Sequence, residues 1–139
     1  MKKIICVFSL IAFLLSAEQA IPAAPPPQYF THCGQSFVNH TSQRLVVTMT
    51  TDMSCPNGNS VVGVTLDGLV DLNMNGKTLT GGWYQQAGIG VKLIGGNPRL
   101  LGPGVVRRFT RGILVAGARN AMVSGVTVSS NFQSRIGSS

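Results

Sequence analysis

The chain carries two kinds of hydrophobic pattern. The first is a run: Ile4 to Leu15 is apolar except for Ser9, with Lys2 and Lys3 before it and the small and polar residues Ser16 to Ala20 after it. That layout predicts a secretory signal peptide over residues 1–20, cut after Ala17 or Ala20. The run falls short of the about 20 apolar residues a membrane-spanning helix needs. The second pattern is a repeat. Residues 90–106 read GVKLIGGNPRLLGPGVV and residues 112–128 read GILVAGARNAMVSGVTV, an offset of 22. Gly90 matches Gly112, Gly95 matches Gly117 and Val106 matches Val128. Between them Val91 pairs with Ile113, Leu93 with Val115, Leu100 with Met122 and Leu101 with Val123. A weaker copy one step earlier sets Gly68 against Gly90, Leu69 against Val91 and Leu79 against Leu101, and a further step reaches the apolar run Leu45 to Val47.

Short apolar alternations separated by glycine turns at a fixed period predict a solenoid. Each repeat is then one coil of two or three short strands, and coils stack at about 4.8 Å so that like side chains form ladders. Val91, Leu93, Ile113 and Val115 are expected inside and Lys92 outside, with Leu114 above Lys92 on the outer face, either exposed or covered. Gly, Asn97 and Asn120 suit the corners. A β-sandwich of short strands explains the alternation but not the fixed offset.

Composition sharpens this picture. After Thr31 there is no glutamate, lysine stands only at Lys77 and Lys92, and all 17 glycines lie in this part. Such a balance suits strands and tight turns rather than helices. Residues 21–30, IPAAPPPQYF, read as a Pro/Ala-rich linker. The coils are expected over 31–131, roughly 110 residues being enough for one core, followed by a polar tail at 132–139. Beyond Ala20, nine Arg or Lys stand against Asp52, Asp67 and Asp71. That excess favours a polyanionic partner, and with export an acidic polysaccharide fits better than nucleic acid or a membrane. Cys33 and Cys55 remain after the signal peptide, and they too are 22 apart. A disulfide between equivalent places on adjacent coils is the natural reading, with two free thiols or a metal pair as the alternative.

The stretch from Cys33-Gly34 through Cys55 to GLVDLNMNGKTLTG, Gly68 to Gly81, resembles the N-terminal part of bacterial right-handed parallel β-helix proteins of the pectin-lyase-like superfamily. Those chains open with a Cys-Gly, reach a second Cys after a short strand, and continue into a segment such as G-V-T-L-D-L-N-G-H-T-I-T-G. Here Met74-Asn75 look inserted and Lys77 stands where His is usual. The resemblance spans residues 33–131. It implies an all-β, right-handed parallel β-helix and leaves activity open, since the superfamily holds lyases, hydrolases, epimerases, tailspikes and binding proteins.

Candidate chemistry is sparse. Arg107, Arg108 and Arg111, with Arg99 and Arg119 nearby, form the densest charge cluster and suit carboxylate or sulfate groups of a glycan. Trp83-Tyr84 is the adjacent aromatic pair within the expected coils and offers a sugar-stacking platform. Asp67 and Asp71, four apart, would share a face of a continuous strand, yet Asp71 sits where corner hydrogen bonding is the simpler role. Asn39-His40-Thr41 is a glycosylation sequon. His32 and His40 have no recognised metal-ligand spacing with the cysteines, so no metal is expected. GIGVKLIGG at 88–96 lacks the phosphate-loop fingerprint, so no cofactor is expected either. No nucleophile elbow or zinc-protease motif is present. The expectation is an exported, non-catalytic polysaccharide-binding or structural module. The alternative is the N-terminal part of a lyase, hydrolase or epimerase acting on acidic glycan. Because Ser129 to Ser139 offers only Phe132 and Ile136 as apolar anchors, an incomplete solenoid prone to end-to-end self-association is also expected.

Overall fold

A computed structural model describes residues 20–82 and 88–138, with side chains at 20–82 and 88–132. Among these residues there is no helix, and every paired strand is parallel to its neighbours. Twelve strands are described: β1 (Gln28–Phe30), β2 (Gln35–Asn39), β3 (Leu45–Met49), β4 (Met53–Ser54), β5 (Val62–Gly68), β6 (Val70–Asn73), β7 (Thr78–Thr80), β8 (Ile89–Ile94), β9 (Arg99–Arg107), β10 (Arg111–Ala116), β11 (Met122–Ser129) and β12 (Gln133–Ser138). They wind into a parallel β-solenoid of about four turns. One sheet runs β2, β5, β8, β10, β12. The second runs β1, β3, β6, β9, β11 along one stretch and β4, β7, β9, β11 along the next, because β9 and β11 are long enough to span both.

The core is a set of ladders. Val64, Val91 and Ile113 stack in one row, and Phe37, Leu66, Leu93 and Val115 in the next. Val47, Leu72, Leu100 and Val123 form a third, and Met53, Leu79, Val106 and Val128 a fourth. All but Val115, Val123 and Val128 are buried. The expected strand parity therefore holds. Leu114 does pair with Lys92, and it is 8 % exposed, so it is an outer-face residue that is covered.

The period is less regular than 22. Val91 to Ile113 keeps that step, but Val64 to Val91 is 27, Leu45 to Val70 is 25 and Gln35 to Val64 is 29. More residues separate β4 from β5 and β7 from β8 than separate the later strands, so the weak earlier copy does not align at 22. Gly63, not Gly68, lies beside Gly90, and Leu79 pairs with Val106, not Leu101. Between β9 and β11 the partners are Arg99 with Met122 and Leu100 with Val123. The 22-residue step returns at Gly104 with Val126, because β9 carries one more residue than β11 around Gly102-Pro103.

The linker and tail both contribute strands. β1 pairs with β3, and Phe30 is fully buried and packs edge-to-face on Phe37, closing the first layer of the core. β12 pairs with β10, with Ile136 opposite Ile113. Met74, which looked inserted, is fully buried in the core at the turn between β6 and β7. Gly90 shows why small residues recur. A Cβ there would lie 2.5 Å from the Gly112 carbonyl and 2.7 Å from Val106, so only glycine fits between coils.

Cys33 and Cys55 are joined, with Cα atoms 5.5 Å apart. Cys33 precedes β2 and Cys55 follows β4, so the bond ties the start of one turn to its own end. That corrects the expectation of equivalent places on adjacent coils. The deciding fact is that a coil here is longer than the interval between the cysteines.

Candidate functional site

Arg107 ends β9 on its outer face, in the row Ser54, Thr80, Arg107, Ser129. Its Nε donates to Thr80 Oγ1 at 3.3 Å. The chain then turns through Arg108, which has a positive φ of 60°, and Arg111 opens β10. The turn is held at several points. Phe109 is 1 % exposed and plugs the core. Its amide donates to Asn131 Oδ1 at 2.9 Å, while Asn131 Nδ2 donates to the Val106 carbonyl at 3.3 Å. The Arg108 amide reaches the Ser130 carbonyl, and the Arg111 amide reaches that of Gly88. All three arginines are exposed on this fixed corner.

Two shallow clefts flank it. One, about 330 Å³, is lined by Ser54, Cys55, Asn57, Thr80, Gly82 and Arg108, among others. The other, about 300 Å³, is lined by Asn59, Gly88, Ile89, Thr110 and Arg111. Trp83 and Tyr84 lie outside the described residues. Gly82 and Gly88, which bound their segment, line one cleft each.

The carboxylates are engaged in the fold. Asp67 and Asp71 do not share a strand face, because the chain turns at Gly68-Leu69 and places them on β5 and β6. Asp71 is 5 % exposed although it points to the outer side of its sheet, in the row Val46, Asp71, Arg99, Met122. It is covered by two guanidiniums. Arg44 Nη1 donates to Asp71 Oδ1 at 2.8 Å and to the Asn97 carbonyl at 2.8 Å. Arg99 binds in a fork, Nε to Oδ1 at 2.7 Å and Nη2 to Oδ2. The hydrogen bond to Asp71 raises the Arg99 pKa above its ordinary value, against a smaller opposing effect of burial. Three successive coils are thereby cross-linked. Asp52 Oδ1 accepts the Thr78 amide at 2.7 Å, and Asp67 faces His40 Nε2 at 3.6 Å. Among the described residues no group of three or more His, Cys, Asp or Glu is placed to hold a metal.

The sequon is also structural. Asn39 is 7 % exposed, and its Nδ2 donates to the carbonyls of Gln43 and Leu69 at 2.7 and 2.9 Å. Its Oδ1 accepts from the amide and hydroxyl of Thr41. The nitrogen a glycan would need is spent on a corner.

Sequence reasoning missed the Arg44–Asp71–Arg99 set. Its members are 27 and 28 positions apart, and only the true register brings them together. Arg119, grouped with the cluster, instead sits at another corner, its amide on the Gly96 carbonyl. Comparison with protein-family models, curated proteins and solved structures finds no match to this chain. No helix among the described residues is long and apolar enough to cross a membrane.

Proposed function

We propose that the chain is an exported, non-catalytic β-solenoid module that holds acidic polysaccharide at the Arg107–Arg111 corner. One observation carries the reading: three exposed arginines stand on one hydrogen-bonded turn, with a shallow cleft on each side. Guanidiniums on a fixed backbone match the repeated carboxylates of a uronate chain, and each pairs without first ordering a loop. Export is supported by the disulfide, which persists in oxidising compartments, and by the pattern of residues 1–20. A polysaccharide is preferred to other polyanions because the sequence resembles the pectin-lyase-like superfamily.

The test is calorimetric titration of the disulfide-bonded protein with polygalacturonate, alginate and a neutral glucan. The expected result is salt-sensitive binding to the two polyuronates and none to the glucan. Replacing Arg107 and Arg111 together by Gln should weaken binding about fivefold, as expected for exposed ion pairs of about 0.2–1 kcal/mol each. Equal affinity for the glucan, or no binding at all, overturns the reading. Release of unsaturated sugar, seen by absorbance, would make the chain an enzyme.

A further inference from the structure

The chain contains two Asn-Gly pairs at turns, Asn57-Gly58 and Asn75-Gly76, and the structure treats them differently. The Gly76 amide donates to the Pro103 carbonyl at 2.7 Å. Around it, the Asn75 amide donates to Asn73 Oδ1 at 2.9 Å, and the Lys77 amide closes the turn onto the Met74 carbonyl. The Gly58 amide has no acceptor among the described residues, and Gly58 contributes only its carbonyl, to the Val61 amide. Asn57 is exposed, and its side chain leans into the space over Gly82, inside the cleft that Arg108 lines.

From this we infer that Asn57 is a site of spontaneous deamidation, and that the product carboxylate lies in the Arg108 cleft and weakens its hold on anionic ligands. The second half rests on the proposed polyuronate function. The Gly58 nitrogen loses its proton to solvent and attacks Cγ of Asn57, and the side-chain NH2 takes up a proton from solvent and leaves as ammonia as its bond to Cγ breaks, forming a cyclic imide. Water adds to either imide carbonyl and opens the ring to aspartate or isoaspartate. No other reactant is needed. An amide that already donates must give up that bond before its nitrogen can attack. At Asn75 this slows the reaction about tenfold, on the scale of one intramolecular hydrogen bond. The new negative charge near Arg108 acts as an internal competitor in a cleft open to solvent. The loss of polyuronate affinity is accordingly about two- to fivefold, as for an exposed ion pair.

The experiment ages the disulfide-bonded protein at mildly alkaline pH and follows both sites by peptide mapping and mass spectrometry. A short Asn-Gly peptide serves as the chemical control. Residue 57 should convert about tenfold faster than residue 75, and Asn57→Gln should abolish conversion at 57 and leave the rate at 75 unchanged. Equal rates, a faster Asn75, or no conversion while the control peptide reacts fully would overturn the inference. Polygalacturonate titration of Asn57→Asp against the unaltered protein tests the consequence. Unchanged affinity overturns the link to the cleft. If the unaltered protein binds no polyuronate, the proposed function fails, and the mapping result still decides whether Asn57 is the modified residue.

Discussion

Asp71 is the most informative position to perturb. It is the one buried carboxylate among the described residues, and its two oxygens take three guanidinium bonds from coils on either side. Removing one partner of a fully buried charge pair costs about 3–5 kcal/mol, because the remaining charge is stranded. Here the stranded groups would be Arg44 and Arg99, whose side chains are 27 % and 37 % exposed. They can rehydrate in part, which brings the cost to about 2 kcal/mol, within the range for hydrogen bonds to charged groups. Asp71→Asn is the sharper variant, since it keeps the shape and removes the charge. Its Oδ1 still accepts from Arg44 and from Arg99 Nε, but its amide group faces the Arg99 Nη2 donor. For a domain of this size, about 2 kcal/mol corresponds to a melting point lower by about 10 °C. Thermal unfolding followed by far-UV circular dichroism reads this directly, and urea midpoints provide a second measure. Arg44→Gln and Arg99→Gln should each cost less than Asp71→Asn, and their effects should not add, because both act through the same carboxylate. A melting point for Asp71→Asn within about 2 °C of the unaltered protein would refute the reasoning, since it would place the set among exposed pairs of little net worth.

The remaining expectations are shorter. Replacing both Cys33 and Cys55 by Ser should lower stability by about 3 kcal/mol on the loop-entropy argument, read as a shift in the urea midpoint, and reductant should reproduce it in the unaltered protein. Gly90→Ala should cost about 2 kcal/mol or more by equilibrium unfolding, because the new methyl group meets the Gly112 carbonyl, which cannot move without its strand. Expressed through a glycosylating secretory route, Asn39 should stay unmodified in the folded protein by mass spectrometry, and Asn39→Ala should lower the melting point, since it removes the Nδ2 bonds to the Leu69 and Gln43 carbonyls and the Oδ1 acceptor of Thr41, leaving those carbonyls only the Leu45 amide and the Thr41 hydroxyl. The raised Arg99 pKa means that its contribution is complete below the ordinary arginine value and is lost only as pH climbs through the higher folded value. A pH titration of the melting point should therefore show no loss from this set between about pH 8 and 10.

The solenoid was legible because in two consecutive coils, β8–β9 and β10–β11, paired residues stay 22 or 23 positions apart, so like residues recur almost in phase. The same logic failed one coil earlier. The longer chain between β4 and β5 and between β7 and β8 changes the step without changing the stacking, and alignment by glycines then pairs Gly68 with the wrong partner. Phe30 was hidden in a proline-rich stretch whose composition speaks of a spacer, although a single aromatic there closes the core. The basic corner was visible as a cluster, but its rigidity was not. That comes from Asn131, 22 residues beyond Phe109, which lies in the next coil and looks like one more polar tail residue. Asp71 was assigned a structural role from its segment alone. The two arginines that give it that role come from outside the segment, and no local pattern points to them.

What the fold does with its few acids bears on which function fits. Acid–base work on a glycan needs carboxylates whose protons are free to move and whose oxygens face the ligand. Asp52 spends an oxygen on the Thr78 amide, Asp67 faces His40, and both oxygens of Asp71 are bound by arginine. Each of these contacts joins one coil to another, so using the carboxylate in a reaction would loosen the stack that positions it. The arginines divide differently. Arg44 and Arg99 bind Asp71 at the sheet's outer face, and Arg107, Arg108 and Arg111 are exposed at a turn whose backbone is held by Asn131 and Phe109. That division, carboxylates engaged between coils and arginines exposed at a corner, is the ground on which we propose holding an acidic chain rather than cleaving one.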